Sequence, residues 1–186
     1  MEVALAAAGS AVLLVALRSR SRSYAAASQT LRRITLQKLD GVCSVCRLSP
    51  TNVASLAAAT AIAERCAGPA TADSNSALNL VFIAVTNAAG SGAELSIVCH
   101  SSHEAQLKAT DPGGGKYDGG WECFEVKGPM AFELVGVMAT ISNSLAKRGV
   151  SLLAQSTYDT DYIFVKKATL GAAVAALQEG GCDVIV

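Results

Sequence analysis

The densest group of polar and aromatic side chains in this chain is the heptapeptide from Ser156 to Tyr162, Ser-Thr-Tyr-Asp-Thr-Asp-Tyr. It lies between two apolar runs, Val150–Ala154 and Ile163–Val165, which predict strands, so it forms the connection of a β-hairpin. A hairpin that only had to turn would use Asn-Gly or Asp-Gly. The composition therefore indicates a binding surface, in which Asp159 and Asp161 would hold the ammonium or guanidinium group of a ligand.

The elements around this hairpin predict an α+β unit of the ferredoxin-like type. A helical pattern ends at Lys147-Arg148-Gly149, and its apolar face carries Val137, Met138, Ile141 and Leu145. Trp121–Val126 predicts the first strand, Thr169–Glu179 a second helix and Asp183–Val186 the last strand. Together with the helix after Gly136 and the two hairpin strands, they give the order β-α-β-β-α-β.

The first half of the chain predicts a second, degenerate unit of the same kind. Gly41–Leu48 alternates as a strand, and Pro50–Glu64 predicts a helix capped by Ser49 or Thr51. The runs Leu80–Val85 and Glu94–Cys99 predict a strand pair, and the last strand is borrowed from, or shared with, the second unit. The predicted division is therefore 1–33 for a targeting, anchor or disordered segment, 34–110 for the first unit, 111–120 for a Gly-rich linker and 121–186 for the second unit.

Four stretches resemble the ACT domains of a family of small two-domain ACT proteins. The most specific is LVGVMATISNSLAKRGVSLLAQSTYDTDYIFVKK, which is also similar to ACT units of the CASTOR-type arginine sensors. The stretches GVCSVCRLSP, ELSIVCHSSHEA and WECFEVKGPMAFELVGV resemble the family's first strand, a later strand and the junction between units. The resemblance implies two ferredoxin-like units with antiparallel sheets and helices on one face.

The resemblance also implies a ligand site near the loop that leads into the first helix of the second unit. Unpaired backbone N–H groups at a helix N-terminus suit a carboxylate, and Gly136 would let a ligand approach the backbone. Asp159 and Asp161 have an alternative role, because Asp side chains also stabilise turns by bonding the backbone. The predicted ligand-binding residues are Val135, Gly136, Val137, Thr157, Tyr158, Asp159 and Asp161.

Other reactive residue types in the sequence favour structural roles. Cys43 and Cys46 are three residues apart in a predicted strand, which directs their side chains to opposite faces, and all six cysteines are expected to be reduced. His100 and His103 follow a strand and are expected in a solvated loop rather than in a zinc site. The sequence holds no nucleophile elbow, HExxH or P-loop, so we expect neither an enzyme nor a cofactor.

The composition limits the classes of binding partner that we expect, but it does not determine the cellular location of the protein. The formal net charge of +0 argues against bulk nucleic-acid binding. The apolar stretch Val3–Leu17 is short for a membrane span, and the Arg- and Ser-rich segment after it resembles a transit peptide. A plastid or mitochondrial address, a membrane anchor and a disordered tail remain open. The protein would be cytoplasmic without such an address, and it would meet a membrane only through an anchor.

The expected function is non-catalytic recognition of an amino acid or a similar small ligand. Binding would shift the population between domain arrangements, in a homodimer or with a regulatory protein partner. Two alternatives stay open: an ACT-fold interaction module that binds no metabolite, and a regulatory subunit of an amino-acid biosynthetic enzyme.

Overall fold

The computed structural model describes residues 33–67, 79–88, 92–128 and 134–186. The predicted targeting segment, apart from Arg33, and most of the predicted flexible insertion at Cys66–Asn79 lie outside these ranges. In the described ranges, no helix is long and apolar enough to cross a membrane.

Within the described residues, eight strands and four helices form the α+β fold that the sequence predicts. In chain order they are β1 (Thr35–Lys38), β2 (Cys43–Leu48), α1 (Val53–Ala67), β3 (Val81–Ala88), β4 (Gly92–His100), α2 (Glu104–Thr110), β5 (Lys116–Val126), α3 (Val137–Lys147), β6 (Leu152–Ser156), β7 (Asp161–Lys166), α4 (Leu170–Glu179) and β8 (Asp183–Ile185). Short 3₁₀ turns precede α2 and α4.

One long strand, β5, belongs to both units. Its first half pairs with β2, with Lys116 opposite Arg47, and its second half pairs with β7, with Glu125 opposite Tyr162. The strand order is β3-β4-β2-β5-β1-β8. Outside this order, β7 also pairs with β5, and β6 pairs with β7. The structure thus contains the shared strand that the sequence suggests. That strand begins at Lys116, inside the segment predicted as linker.

The N-terminal strand β1 belongs to the sheet of the second unit. Leu36 lies opposite Val126 of β5 in an antiparallel pair and opposite Val184 of β8 in a parallel pair. β1 therefore separates β5 from β8, and the first unit is inserted between β1 and the rest of the second unit. The predicted division at residues 110 and 121 stays a prediction. It assigns β1 to the first unit, whereas β1 pairs with strands of the second unit.

Three groups of buried side chains hold these layers together. One lies beneath helices α3 and α4 in the second unit, and another beneath helices α1 and α2 in the first unit. The third, which we name the junction cluster, combines residues of both units and contains Cys43, Val98, Trp121, Cys123 and Phe164. The ring of Phe82 on β3 packs edge-on against Tyr162 and Phe164 of β7, with centroids 5.6 and 6.3 Å away. The two units therefore share a packed apolar contact.

The helix faces follow the predicted periodicity, but the cap of α1 does not. Val137, Ile141 and Leu145 of α3 are buried, as predicted. At the start of α1 the side-chain oxygen of Asn52, rather than Ser49 or Thr51, accepts hydrogen bonds from the N–H groups of Ala54 and Ser55 at 3.0 and 3.3 Å. The prediction of Ser49 or Thr51 as the cap was wrong because the helix begins at Val53, which makes Asn52 the residue beside its unpaired donors.

Candidate functional site

The predicted binding hairpin is a tight turn that its own threonines close. The N–H of Thr157 donates to the carbonyl oxygen of Thr160 at 2.9 Å. The Thr157 hydroxyl donates to the same oxygen at 3.1 Å and accepts from the Thr160 N–H at 3.3 Å. The hydroxyl of Thr157 is therefore occupied within the turn, which gives this predicted ligand-binding residue a structural role.

Thr160 fastens the turn to the end of β5. Its side chain is buried, and its hydroxyl donates to the backbone oxygen of Val126. No local pattern in the sequence indicates this role, because it depends on Val126, 34 residues earlier in the chain. The turn thus lies beside the point where the chain leaves the second sheet toward α3.

The two aspartates of the hairpin differ in what they contact. Ser156 and Asp161 face each other across β6 and β7, and the Ser156 hydroxyl donates to Asp161 Oδ1 at 2.5 Å. This bond stabilises the hairpin through a side chain, whereas the alternative left open by the sequence was a bond from the aspartate to the backbone. Asp159 is exposed, and no hydrogen bond or ion pair holds its carboxylate among the described residues.

Neighbouring charges at this end of the sheet are mostly paired. Glu125 bonds to Lys127 at 2.8 Å, and Asp183 bonds to Arg33 at 3.2 Å. Burial raises the pKa of Tyr162, and the negative charges of Glu125 and Asp159 make smaller contributions to this rise. Glu125 and Asp183 are thus occupied, whereas the exposed Asp159 has no hydrogen bond or ion pair within the described ranges.

Helix α3 begins at a glycine that supplies no side-chain cap. Gly136 occupies the N-cap position with φ 90° and ψ −3°, in the left-handed region that favours glycine. Leu134 and Val135, just before it, are 45% and 44% exposed, whereas Val137 is buried in the core. The first N–H groups of α3 consequently donate to no side chain of the N-cap residue, in contrast to those of α1, which donate to Asn52.

The turn and the start of α3 are both connected to Val126. Its backbone oxygen holds the turn, and its side chain shares a buried cluster with Val137. Part of the connection between β5 and α3, residues 129–133, lies outside the described ranges. The structure gathers Thr157, Tyr158, Asp159 and Asp161 in one turn, and Tyr158 is 79% exposed there. The assignment of these residues and of Val135–Val137 to ligand binding stays a prediction.

The cysteine pair Cys43 and Cys46 does not form a joint site. Cys43 lies in the junction cluster, while Cys46 lies beneath the helices of the first unit, on the opposite face of β2, as predicted from their spacing. Burial raises the pKa of the Cys43 thiol to about 12, and the charge of Glu122 adds to the effect. Both cysteines, like the four others, are free thiols.

The histidine segment forms a 3₁₀ turn at the end of β4. His100 Nδ1 lies 2.8 Å from the hydroxyl of Ser102, and the pKa of His103 is lowered by burial and by the charges of Arg65 and His100. Across the described ranges, His, Cys, Asp and Glu side chains form no group of three or more that could hold a metal ion.

Comparison with protein families finds a match that covers most of the second unit. Residues 116–179 match the family model described as ACT domain. This segment runs from the start of β5 to the end of α4, so it contains both the turn and the start of α3. No curated protein matches the chain.

Comparison with solved structures extends the likeness to both units. Protein Atu0741 from Agobacterium tumefaciens is 24% identical with a TM-score of 0.54, and the match covers 83% of this chain and 94% of that one. The regulatory subunit of aspartate kinase from Thermus flavus is 11% identical with a TM-score of 0.54, over 81% and 97%. Aspartate kinase from Clostridium acetobutylicum is 11% identical with a TM-score of 0.55, over 82% of this chain and 36% of that one. The fold is therefore that of two ACT-like units, similar to the regulatory subunit.

Proposed function

We propose that this protein is a non-catalytic regulator that binds an amino acid, or a similar zwitterionic ligand, at the second unit. The observation that carries the proposal is that the chain presents, after the Val126 end of β5, a helix start at Gly136 without a side-chain cap and, in the turn that Thr160 fastens to Val126, the exposed carboxylate of Asp159. An ACT domain match over residues 116–179 supports a regulatory fold for this segment. The ligand itself is unknown.

The two halves of an amino acid suit the two halves of this site. The α-carboxylate would accept hydrogen bonds from the first N–H groups of α3, where the helix dipole also favours negative charge. Gly136 would let it approach, because no Cβ stands in the way. The ammonium group, or a cationic side chain, would pair with Asp159. Exposed Leu134 and Val135 would contact the apolar part of the ligand.

The equivalent helix start in the first unit is filled by the protein's own side chains. Asn52 accepts from the first donors of α1 and donates to the carbonyl oxygen of Thr110 at 2.8 Å. Asp111 accepts from the N–H groups of Ser49 and Gly114 at 3.0 and 3.1 Å. We therefore expect one ligand per chain, bound at the second unit.

A thermal-unfolding screen against the twenty amino acids tests the proposal. A ligand present at about 100 times its dissociation constant stabilises the folded state by about 2.7 kcal/mol, which shifts the melting temperature by several degrees. We expect one or a few amino acids to shift it. Asp159→Asn should abolish the shift, while Asp40→Asn, in an exposed bend of the first half, should preserve it. A flat panel on folded protein would contradict the proposal and favour the interaction module without a metabolite.

The role of Asp161 needs a separate pair of variants, because its carboxylate already bonds to Ser156. If Asp161 contacts the ligand, Asp161→Ala should lose the ligand-induced shift and Ser156→Ala should keep it. Equal effects of the two substitutions would assign Asp161 to the turn alone.

A second candidate function is that of a regulatory subunit for an amino-acid biosynthetic enzyme. The chain's match covers 97% of the regulatory subunit of aspartate kinase from Thermus flavus, with the same two-unit fold. Co-purification of an amino-acid kinase with the tagged protein would support this function. The finer likeness to CASTOR-type sensors stays a hypothesis, for which a thermal shift with arginine is the specific test.

A further inference from the structure

Within the described residues, the chain crosses between the two units at two places, and each crossing contains a glycine in the left-handed region. One crossing is the connection from β1 to β2, where Gly41 has φ 117°. The other lies inside β5, where Gly120 has φ 76°. Glycine adopts this conformation without steric cost. Hinges between domains consist of a few such positions that absorb a change in the backbone angles.

The crossing inside β5 is also a β-bulge. Cys43 of β2 lies opposite Trp121, but Val45, two residues further along β2, lies opposite Asp118. β5 therefore has one extra residue at Gly119–Gly120. A bulge interrupts the hydrogen-bonded ladder and bends its strand. The shared strand is thus bent, and its pairing with β2 interrupted, where it passes from the first unit to the second.

The side chain of Lys166 spans this bend. Lys166 ends β7 in the second unit, and its ammonium bonds to the carboxylate of Asp118, on the first-unit side of Gly120. The same ammonium donates to the carbonyl oxygen of Gly119 at 2.8 Å. It also lies 4.2 Å from the centroid of the Trp121 ring, in a cation–π contact. These contacts hold β7 against the first half of β5.

A buried donor at the same place opposes this closed arrangement. Nε1 of Trp121 is buried and has no hydrogen-bond acceptor among the described residues. An unsatisfied buried donor costs free energy, which contact with water would recover. The contacts of Lys166 offset this cost, so the balance between a closed and an open junction depends on them.

We propose that the two units open and close about Gly41 and Gly120, and that Lys166 is the strap that holds them closed. Opening would separate the junction cluster, which combines residues of both units. It would leave the clusters beneath the helices intact, because each of those lies within one unit. The motion concerns the contact between the units and does not require the ligand proposed for the second unit.

Alkylation of the natural cysteines by iodoacetamide tests the opening in the full-length wild-type protein. Cys43 and Cys123, which we name the junction thiols, are buried in the junction cluster. The buried thiols that lie within single units are Cys46, Cys99 and Cys182. Local opening needs less free energy than global unfolding, so timed labelling mapped by mass spectrometry should modify the junction thiols about tenfold faster, or more. Equal rates for all of these cysteines would show that only global unfolding exposes them, and would overturn the proposal.

Two substitutions test the strap, because they remove the same ion pair from opposite ends. Lys166→Met keeps a long side chain beside the Trp121 ring without its charge, and Asp118→Asn leaves Lys166 in place. Labelling of the junction thiols should become about tenfold faster in Lys166→Met, which loses the ion pair and the cation–π contact together, and should increase less in Asp118→Asn. Lys127→Met, which breaks the exposed pair with Glu125 at the other end of β5, is the matched control and should leave the rates unchanged.

The pattern of labelling separates a strap from a general loss of stability. If Lys166 acts as the strap, its substitution accelerates the junction thiols alone. Equal acceleration of the thiols within single units, or junction-thiol rates in Lys166→Met and Asp118→Asn that match those of Lys127→Met, would overturn the assignment of Lys166.

Discussion

The hydroxyl of Thr160 donates a hydrogen bond to the backbone carbonyl oxygen of Val126, which joins two segments 34 residues apart in the sequence. Val126 ends β5, and Thr160 ends the turn of the β6–β7 hairpin. The bond therefore fixes the predicted ligand-binding turn to the strand from which the chain leaves toward α3. Because Thr160 is buried, water cannot readily replace the donor if it is removed.

Thr160→Val should lower the free energy of unfolding by about 1–2 kcal/mol, because the Val126 oxygen loses its donor in a buried place. Thr160→Ser, which keeps the hydroxyl, should lose less. Urea denaturation of the three proteins measures the difference. A larger loss for serine than for valine would show that the methyl group, and not the hydrogen bond, determines stability here.

Gly136 and Gly171 give opposite predictions for the same substitution. At Gly136, with φ 90°, alanine must enter the left-handed region and should cost about 1–2 kcal/mol. Gly171 lies inside α4, and a Cβ built there meets no atom within 4 Å. Alanine at Gly171 should stabilise by about 0.5–1 kcal/mol. Thermal unfolding of both variants is the test, and a Gly136→Ala variant of wild-type stability would contradict the assigned backbone conformation.

Local patterns were sufficient to predict the second unit. The apolar spacing in α3 placed Val137, Ile141 and Leu145 on one face, and the structure confirms it. Gly149 and Gly180, which follow α3 and α4 closely, marked where the helices end. These features depend on residues that are a few positions apart, so a single sequence is enough to predict them.

Long-range pairing was not predictable in the same way. β1 has four residues, and its place between β5 and β8 depends on partners at the far end of the chain. The burial of Thr160 likewise depends on Val126, which no local pattern reveals. Within the candidate site, residue types suggested carboxylates that bind a ligand, but only the structure separates Asp161, which bonds to Ser156, from the more available Asp159.

An ion pair in the interior holds β1 against β5. The ammonium of Lys38 lies 3.2 Å from the carboxylate of Glu122, and the two side chains are 17% and 7% exposed. Lys38→Met should destabilise the protein by about 3 kcal/mol, since it leaves Glu122 charged and unpaired where little water reaches it. The double variant Lys38→Met with Glu122→Leu should recover most of that loss, because no charge remains buried. Urea unfolding of the single and double variants measures the coupling, and additive losses would exclude a direct pair.

Glu104 should make stability depend on pH in the acidic range. Its carboxylate bonds to Lys108 at 2.5 Å and accepts from the buried hydroxyl of Ser44 at 2.5 Å. These two bonds, with Lys108 first, lower the pKa of Glu104 below its ordinary value of 4.5. A carboxyl group whose pKa is lower in the folded state stabilises the fold fully above the ordinary value and loses this effect as the pH falls through the lowered one.

Glu104→Gln should therefore unfold more easily than wild type at pH 7, by about 1–2 kcal/mol. The difference should shrink steadily below pH 4.5, where the wild-type carboxylate takes up its proton. Ser44→Ala removes only one of the two bonds, so it should lose less at pH 7 and keep part of the pH dependence. Urea midpoints at pH 7, 5 and 3 compare the three proteins. A gap between wild type and Glu104→Gln that stays constant from pH 7 to pH 3 would show that the glutamate stabilises the fold through its shape rather than through its charge.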